Sequence, residues 1–216
     1  KYILNQKAHK YFIKIQYIKN NLKLFNNQDI CKYLPGRHQI MNAHLAYLGV
    51  QYISTLLNKP VVSIKKNILN TYWPGRIQKL QNTPDIFFDV GHNASGIKAF
   101  HSHFTNINNN YAYKYLVVGF ESTKIIFQPL NNLIKLFDCI IITETQIRSS
   151  MKADIIYKKM ICKDKISINK DAKHTIQTIK EKLNKQDVLV ILGSHYFGNT
   201  LNKIFKNCFE NQNKAQ

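Results

Sequence analysis

The chain has 216 residues, 44% of them hydrophobic and 12% aromatic, with 31 Lys and Arg against 12 Asp and Glu for a formal net charge of +19. That length accommodates one large domain, or one domain and part of a second, and the apolar content excludes a wholly disordered chain. The lysines are scattered through nearly every segment, which describes a lysine-coated surface; a nucleic-acid footprint would be clustered, so no nucleic-acid partner is expected.

In chain order, Tyr11-Phe-Ile-Lys-Ile-Gln-Tyr-Ile is rich in β-branched and aromatic residues and reads as a strand, with residues 22–25 a short successor. From 39 to 57, Met41, Leu45, Leu48, Ile53 and Leu57 recur at three- to five-residue intervals and predict a long helix between a Pro35-Gly36 turn and Asn58-Lys59-Pro60. A second helix is expected over 63–70. After Trp73-Pro74-Gly75 the pattern becomes regular. Continuous apolar runs at 86–90, 115–118, 139–142 and 188–192 have the character of strands buried on both faces. Amphipathic stretches at 96–104, 125–137, 152–160, 172–183 and 197–209 alternate with them. The implied fold is α/β, a doubly wound, mostly parallel sheet, with a boundary near 70–73 and a frayed tail over 211–216.

Cys31, Cys139, Cys162 and Cys208 form no C-x-x-C pair, so neither a zinc site nor a redox motif is indicated. Cys139 and Cys162 read as reduced core thiols, consistent with a cytoplasmic location. No segment has the roughly 18 uncharged apolar residues of a membrane helix, and the stretch beginning at Lys1 is too short and polar for a secretory signal.

Several residues are candidates for chemistry. Asp89 closes an apolar strand, where a carboxylate needs a partner; it is either a turn-forming cap or an acceptor for ribose hydroxyls. His92 and Asn93 follow at a helix start. Arg76 sits in a Pro-Gly turn, placed either for phosphate oxygens or for a salt bridge between domains. Gln39 and Asn42 fall three apart on one helical face, an amide pair suited to an adenine edge or to capping. Gly193-Ser194-His195, between a strand and a helix, could form a carboxylate pocket from helix-terminal amides. The run Gly91-His-Asn-Ala-Ser-Gly96-Ile-Lys98 misses the G-x-x-x-x-G-K-[ST] phosphate loop by one residue. His101 and His103 point in different directions on a helix and read as surface groups; no metal ligands are assigned.

Four words carry a family resemblance: Leu34-Pro-Gly-Arg-His-Gln-Ile-Met-Asn-Ala, Tyr72-Trp-Pro-Gly-Arg-Ile-Gln, Phe87-Phe-Asp-Val-Gly-His-Asn-Ala and Leu192-Gly-Ser-His-Tyr. In this order they resemble the folylpolyglutamate synthase / dihydrofolate synthase family of the Mur ligase superfamily. The resemblance implies that 1–71 is the end of the central ATP-binding domain and 72–216 the carboxyl-terminal Rossmann-like domain. It implies an ATP-dependent ligase that adds L-glutamate to dihydropteroate or folates through an acyl phosphate, with magnesium. Carried over residue by residue, Asn42 would contact the ATP base together with Gln39, Arg76 the phosphates and Asp89 the ribose. His92 and Ser194 would hold the incoming glutamate or its reaction centre.

The family's glycine-lysine-serine loop and magnesium ligands have no counterpart here, so the chain is expected to be a carboxyl-terminal fragment, inactive alone, with those groups upstream of Lys1. In place of the family's usual Asp-Lys-Asp turn, Glu121-Ser-Thr-Lys124 keeps only the lysine. Two rival readings are a noncatalytic nucleotide- or RNA-binding module and another Mur-type amino-acid ligase.

Overall fold

The computed structural model describes residues 24–25, 34–145, 147 and 149–210. The expected strand at 11–18, most of its successor at 22–25, Cys31 and the tail at 211–216 lie outside the described residues.

Helix α1 spans His38–Leu56 and α2 spans Ile64–Leu69, close to the expected bounds. Gln39, Ala43 and His44 are buried, the His44 ring accepting the Phe25 N–H at 3.2 Å and donating to the Ile40 carbonyl at 2.7 Å. Met41, Leu45, Ile53 and Leu57, whose spacing predicts the helix, are 43 to 62% exposed. Apolar spacing predicts the helix but not which side is covered.

The remaining strands are β1 (Gln78–Asn82), β2 (Asp85–Asp89), β3 (Lys114–Gly119), β4 (Cys139–Glu144), β5 (Ile166–Asp171) and β6 (Val188–Gly193). They form one six-stranded sheet in the order β1-β2-β6-β3-β4-β5. Only β1 is antiparallel, joined to β2 as a hairpin; the other four pairings are parallel. The connecting helices are α3 (Ala94–Thr105), α4 (Phe127–Leu133), α5 (Ala153–Lys158), α6 (Ala172–Lys182) and α7 (Phe197–Ile204).

Both faces of the sheet are covered, which is why the parallel strands lack alternation. On one side Ile97, Phe100 and Phe104 of α3, Leu130 of α4 and Ile156 of α5 pack against Leu116, Val118, Val190 and Leu192. On the other, Ile176 and Ile179 of α6 and Phe197 and Leu201 of α7 cover Ile86, Phe88, Val117 and Ile191. Every residue of β6 is buried, so this central strand fixes the carboxyl edge where β2 and β3 also end.

Three expectations need correction. The helix expected over 125–137 is α-helical only in α4 and continues as a 3-10 turn over Ile134–Leu136. The last helix stops at Ile204. Cys162 is exposed at a left-handed backbone position and is no core thiol; it follows a short apolar run that ends before the sheet begins again.

Candidate functional site

At the carboxyl end of β2 the chain turns abruptly into α3. The Asn93 side chain caps the helix, accepting from the Gly96 N–H at 2.8 Å, while its own backbone stays extended. Immediately before it, His92 Nδ1 lies 2.9 Å from the Val90 carbonyl. A carbonyl only accepts, so Nδ1 donates to it and Nε2 is left for another partner.

Asp89, the last residue of β2, is 6% exposed. Its Oδ2 accepts the Ile77 N–H at 2.8 Å. Burial raises its pKa to about 6, against the opposing effects of the Ile77 N–H, the Arg76 guanidinium and the Gly91 N–H. Arg76 is presented by the turn that leads into β1. Here Gly75 has φ 71° and Ile77 φ 48°, and the Gly75 carbonyl accepts the Val90 N–H at 2.8 Å. The β1 edge therefore sets Arg76 beside the β2 carboxylate.

Across from these turns lies the start of α1. Asn42 Nδ2 donates to Gln39 Oε1 at 2.8 Å, so the buried Gln39 orients the exposed amide of Asn42. Together these segments enclose a cleft of about 500 Å³ whose wall includes Gln39, Asn42, Arg76, Asp89, His92 and Asn93. Of the six residues to which the resemblance assigns a role, five (Gln39, Asn42, Arg76, Asp89 and His92) line this cleft, from segments separated by up to 53 positions.

Ser194 is the sixth and lies elsewhere. It is fully buried and is not part of the cleft wall. Gly193, at φ 130°, lies so close to Gly119 that a Cβ there would clash with the Gly119 carbonyl oxygen. The Ser194 N–H then donates to that same carbonyl at 2.9 Å, turning the chain towards β3 and away from β2. Its Oγ accepts the Tyr196 N–H at 3.3 Å. His195 Nδ1 lies 3.9 Å from Glu121 Oε1, which associates this turn with the 121–124 loop.

Sequence reasoning passed over His38 and Trp73, which also line the cleft. Trp73 is 63% exposed, an indole face open to a planar ligand. The His38 pKa is lowered by burial first and then by the positive charges of Arg76 and His103. Both residues stand inside quoted words, His38 next to Arg37 and Trp73 three positions before Arg76, so the signal was present but unread.

This fold and cleft define a doubly wound α/β domain with a cleft at the carboxyl edge of its sheet, where such domains bind ligands. No family model matches the chain. Among characterised proteins it is similar to the dihydrofolate synthase/folylpolyglutamate synthase of Bacillus subtilis, 25% identical over 186 residues that cover 83% of this chain and 42% of that protein. In structure it is similar to Mycobacterium tuberculosis folylpolyglutamate synthase complexed with ADP, with a TM-score of 0.65 and 16% identity over 80% of this chain and 41% of the other. The bifunctional folylpolyglutamate synthase/dihydrofolate synthase of Yersinia pestis, complexed with AMPPNP and a Mn ion, gives a TM-score of 0.56 and 19% identity over 67% and 34%. The chain thus spans less than half the length of the relatives it matches, and the resemblance seen in its four sequence words extends to its fold.

Proposed function

We propose that this chain forms part of an ATP-dependent folate-glutamate ligase, joining L-glutamate to dihydropteroate, to folates, or to both through an acyl phosphate. The observation that carries this reading is the meeting of Gln39, Asn42, Arg76, Asp89 and His92 around one cleft. Residues 1–71 would close the central ATP-binding domain and 72–216 would make up the carboxyl-terminal one. Support comes from the similarity to the Bacillus subtilis protein.

In this reading the nucleotide lies along the cleft. The oriented amide of Asn42 meets the base edge and Trp73 offers its face. The remaining lone pairs of Asp89 accept from ribose hydroxyls, and the Arg76 guanidinium pairs two N–H donors with phosphate oxygens. His92, its Nδ1 committed to Val90, directs Nε2 towards the acceptor side, where it can hold the glutamate amine or take its proton as the amide forms. A carboxylate is a poor electrophile until phosphorylated, so charge stabilisation at the phosphates is the step these groups assist.

Ser194 does not line the nucleotide cleft; a contact with glutamate would have to come from the Gly119–Glu121 side of the sheet edge. Among the described residues no group of three or more His, Cys, Asp or Glu side chains could hold a metal ion, and no step is assigned to magnesium. The chain has no G-x-x-x-x-G-K-[ST] loop, and turnover is expected only where such a loop is supplied.

Trp73 is the sole tryptophan, so its fluorescence reports the cleft. Titration with ADP should give a saturable change, weakened about tenfold to a hundredfold by Arg76→Ala, as expected for a lost charge-assisted pair. Absence of saturation, or indifference to Arg76→Ala, would remove the nucleotide assignment; steeply salt-dependent RNA binding would then favour the RNA-binding alternative. In a polypeptide carrying the phosphate loop, ADP release driven by a cell-wall precursor and not by dihydropteroate or folate would point to another Mur-type ligase.

A further inference from the structure

We infer that Asp89 is a positioning residue for Arg76, acting through the backbone of Ile77. Ile77 is β-branched and sits at φ 48°, a left-handed position that is strained for such a residue. Its side chain is 4% exposed and belongs to the main core, so the strain falls on a residue anchored at both ends. Regular pairing of β1 with β2 starts only at Gln78 and Phe88. One step further, the Ile77 N–H finds no strand partner and donates instead to Asp89 Oδ2 at 2.8 Å. The carboxylate thus takes the place of the next rung of the ladder.

The other side of the turn is pinned as well. The Gly75 N–H donates to Gln78 Oε1 at 2.8 Å, and the Gly75 carbonyl accepts from Val90 at 2.8 Å. Arg76 lies between two fixed residues, and of the two anchors only the one at Ile77 depends on a side chain that also lines the cleft. A carboxylate has about four acceptor positions. Two face Ile77 and Gly91, leaving others for a ligand, so the inference deepens the nucleotide reading and rests on it only for the affinity measurement below.

The test compares Asp89→Ala with Asp89→Asn in the whole chain, by amide hydrogen exchange at Ile77 and by ADP titration read from Trp73. Asp89→Ala removes the acceptor; it should raise Ile77 exchange about tenfold or more and weaken ADP by a similar factor. Asp89→Asn keeps an oxygen for the Ile77 N–H, so it should hold exchange near the parent rate and weaken ADP less than Asp89→Ala does, by the part that the direct ribose contact contributes. If Asp89→Ala does not fold, Asp89→Leu fills the volume and accepts nothing.

Unchanged Ile77 exchange on loss of the carboxylate overturns the inference. So does a loss of ADP affinity on Asp89→Ala that is just as large in an Arg76→Ala background, since Asp89 would then not act through Arg76. If the parent chain binds no ADP, the nucleotide reading fails, while Ile77 exchange still decides whether Asp89 holds the turn.

Discussion

Gly91 and Gly96 touch: a Cβ built on Gly96 would lie 2.9 Å from the Gly91 α-carbon, and one built on Gly91 would lie 3.1 Å from the Gly96 carbonyl carbon and 2.8 Å from Asp89 Oδ1. Neither glycine has the positive φ of Gly36, Gly75 or Gly193. They are required by close approach and not by backbone conformation. The spacing that imitates a phosphate loop is thus explained by strand-to-helix packing. Gly96→Ala should destabilise the chain by about 1–3 kcal/mol, as overpacking of backbone does, with Ser95→Ala as the control. Equal denaturant midpoints for the two variants would contradict the contact.

The buried Asp89 gives stability a definite pH dependence. Its folded pKa of about 6 lies above the ordinary 3.8. Between those values the folded state holds a proton that the unfolded state has released, so the contribution of this group falls as pH rises. The shift corresponds to roughly 3 kcal/mol, present below about pH 4 and lost above about pH 6. The stability of the parent chain minus that of Asp89→Asn should therefore decline by about this amount from pH 4 to pH 7. Chemical unfolding at several pH values measures it, and a difference that does not vary with pH would count against the burial argument.

Asn93 anchors the turn from the helix side. Its Oδ1 accepts from both the Gly96 N–H at 2.8 Å and Ser95 Oγ at 2.9 Å. Asn93→Ala should cost about 1 kcal/mol in unfolding free energy and Asn93→Asp much less, because aspartate caps as well as asparagine. If the two substitutions cost the same, Asn93 contributes through something other than the cap.

Legibility in the sequence followed burial. β2, β3, β4 and β6 showed as continuous apolar runs because helices cover both sheet faces. β1, with the sequence Gln-Lys-Leu-Gln-Asn, and β5, Ile-Ser-Ile-Asn-Lys-Asp, escaped notice. They are the two edge strands, partly exposed, so neither needs a run of apolar side chains. The cleft was legible for a different reason. Its residues sit in turns whose Gly, Pro, Arg, His and Asn have little else to do. Which turns meet depends on strand order: β6 lies beside β2, but the Gly193 turn directs the chain to β3, so Ser194 lies outside the cleft wall. Trp73 and His38 were missed because an aromatic or a histidine beside an arginine carries no spacing signal of its own.

The pairing of Gln39 with Asn42 yields the last prediction. Asn42 is exposed and would be free to rotate, were its Nδ2 not held by Gln39 Oε1 at 2.8 Å; Gln39 is itself buried at 8% exposure. Holding one amide with another fixes which edge Asn42 turns to the cleft, leaving its oxygen to accept from an exocyclic amine and one N–H to donate to a ring nitrogen. If that orientation matters for the base, Gln39→Ala should weaken ADP nearly as much as Asn42→Ala, each by about three- to tenfold, and the double variant should lose little more than either alone. GDP, whose ring edge reverses donor and acceptor, should bind the parent more weakly and respond little to either substitution. Additive losses in the double variant would show that the two amides act separately and that Gln39 serves only the start of α1.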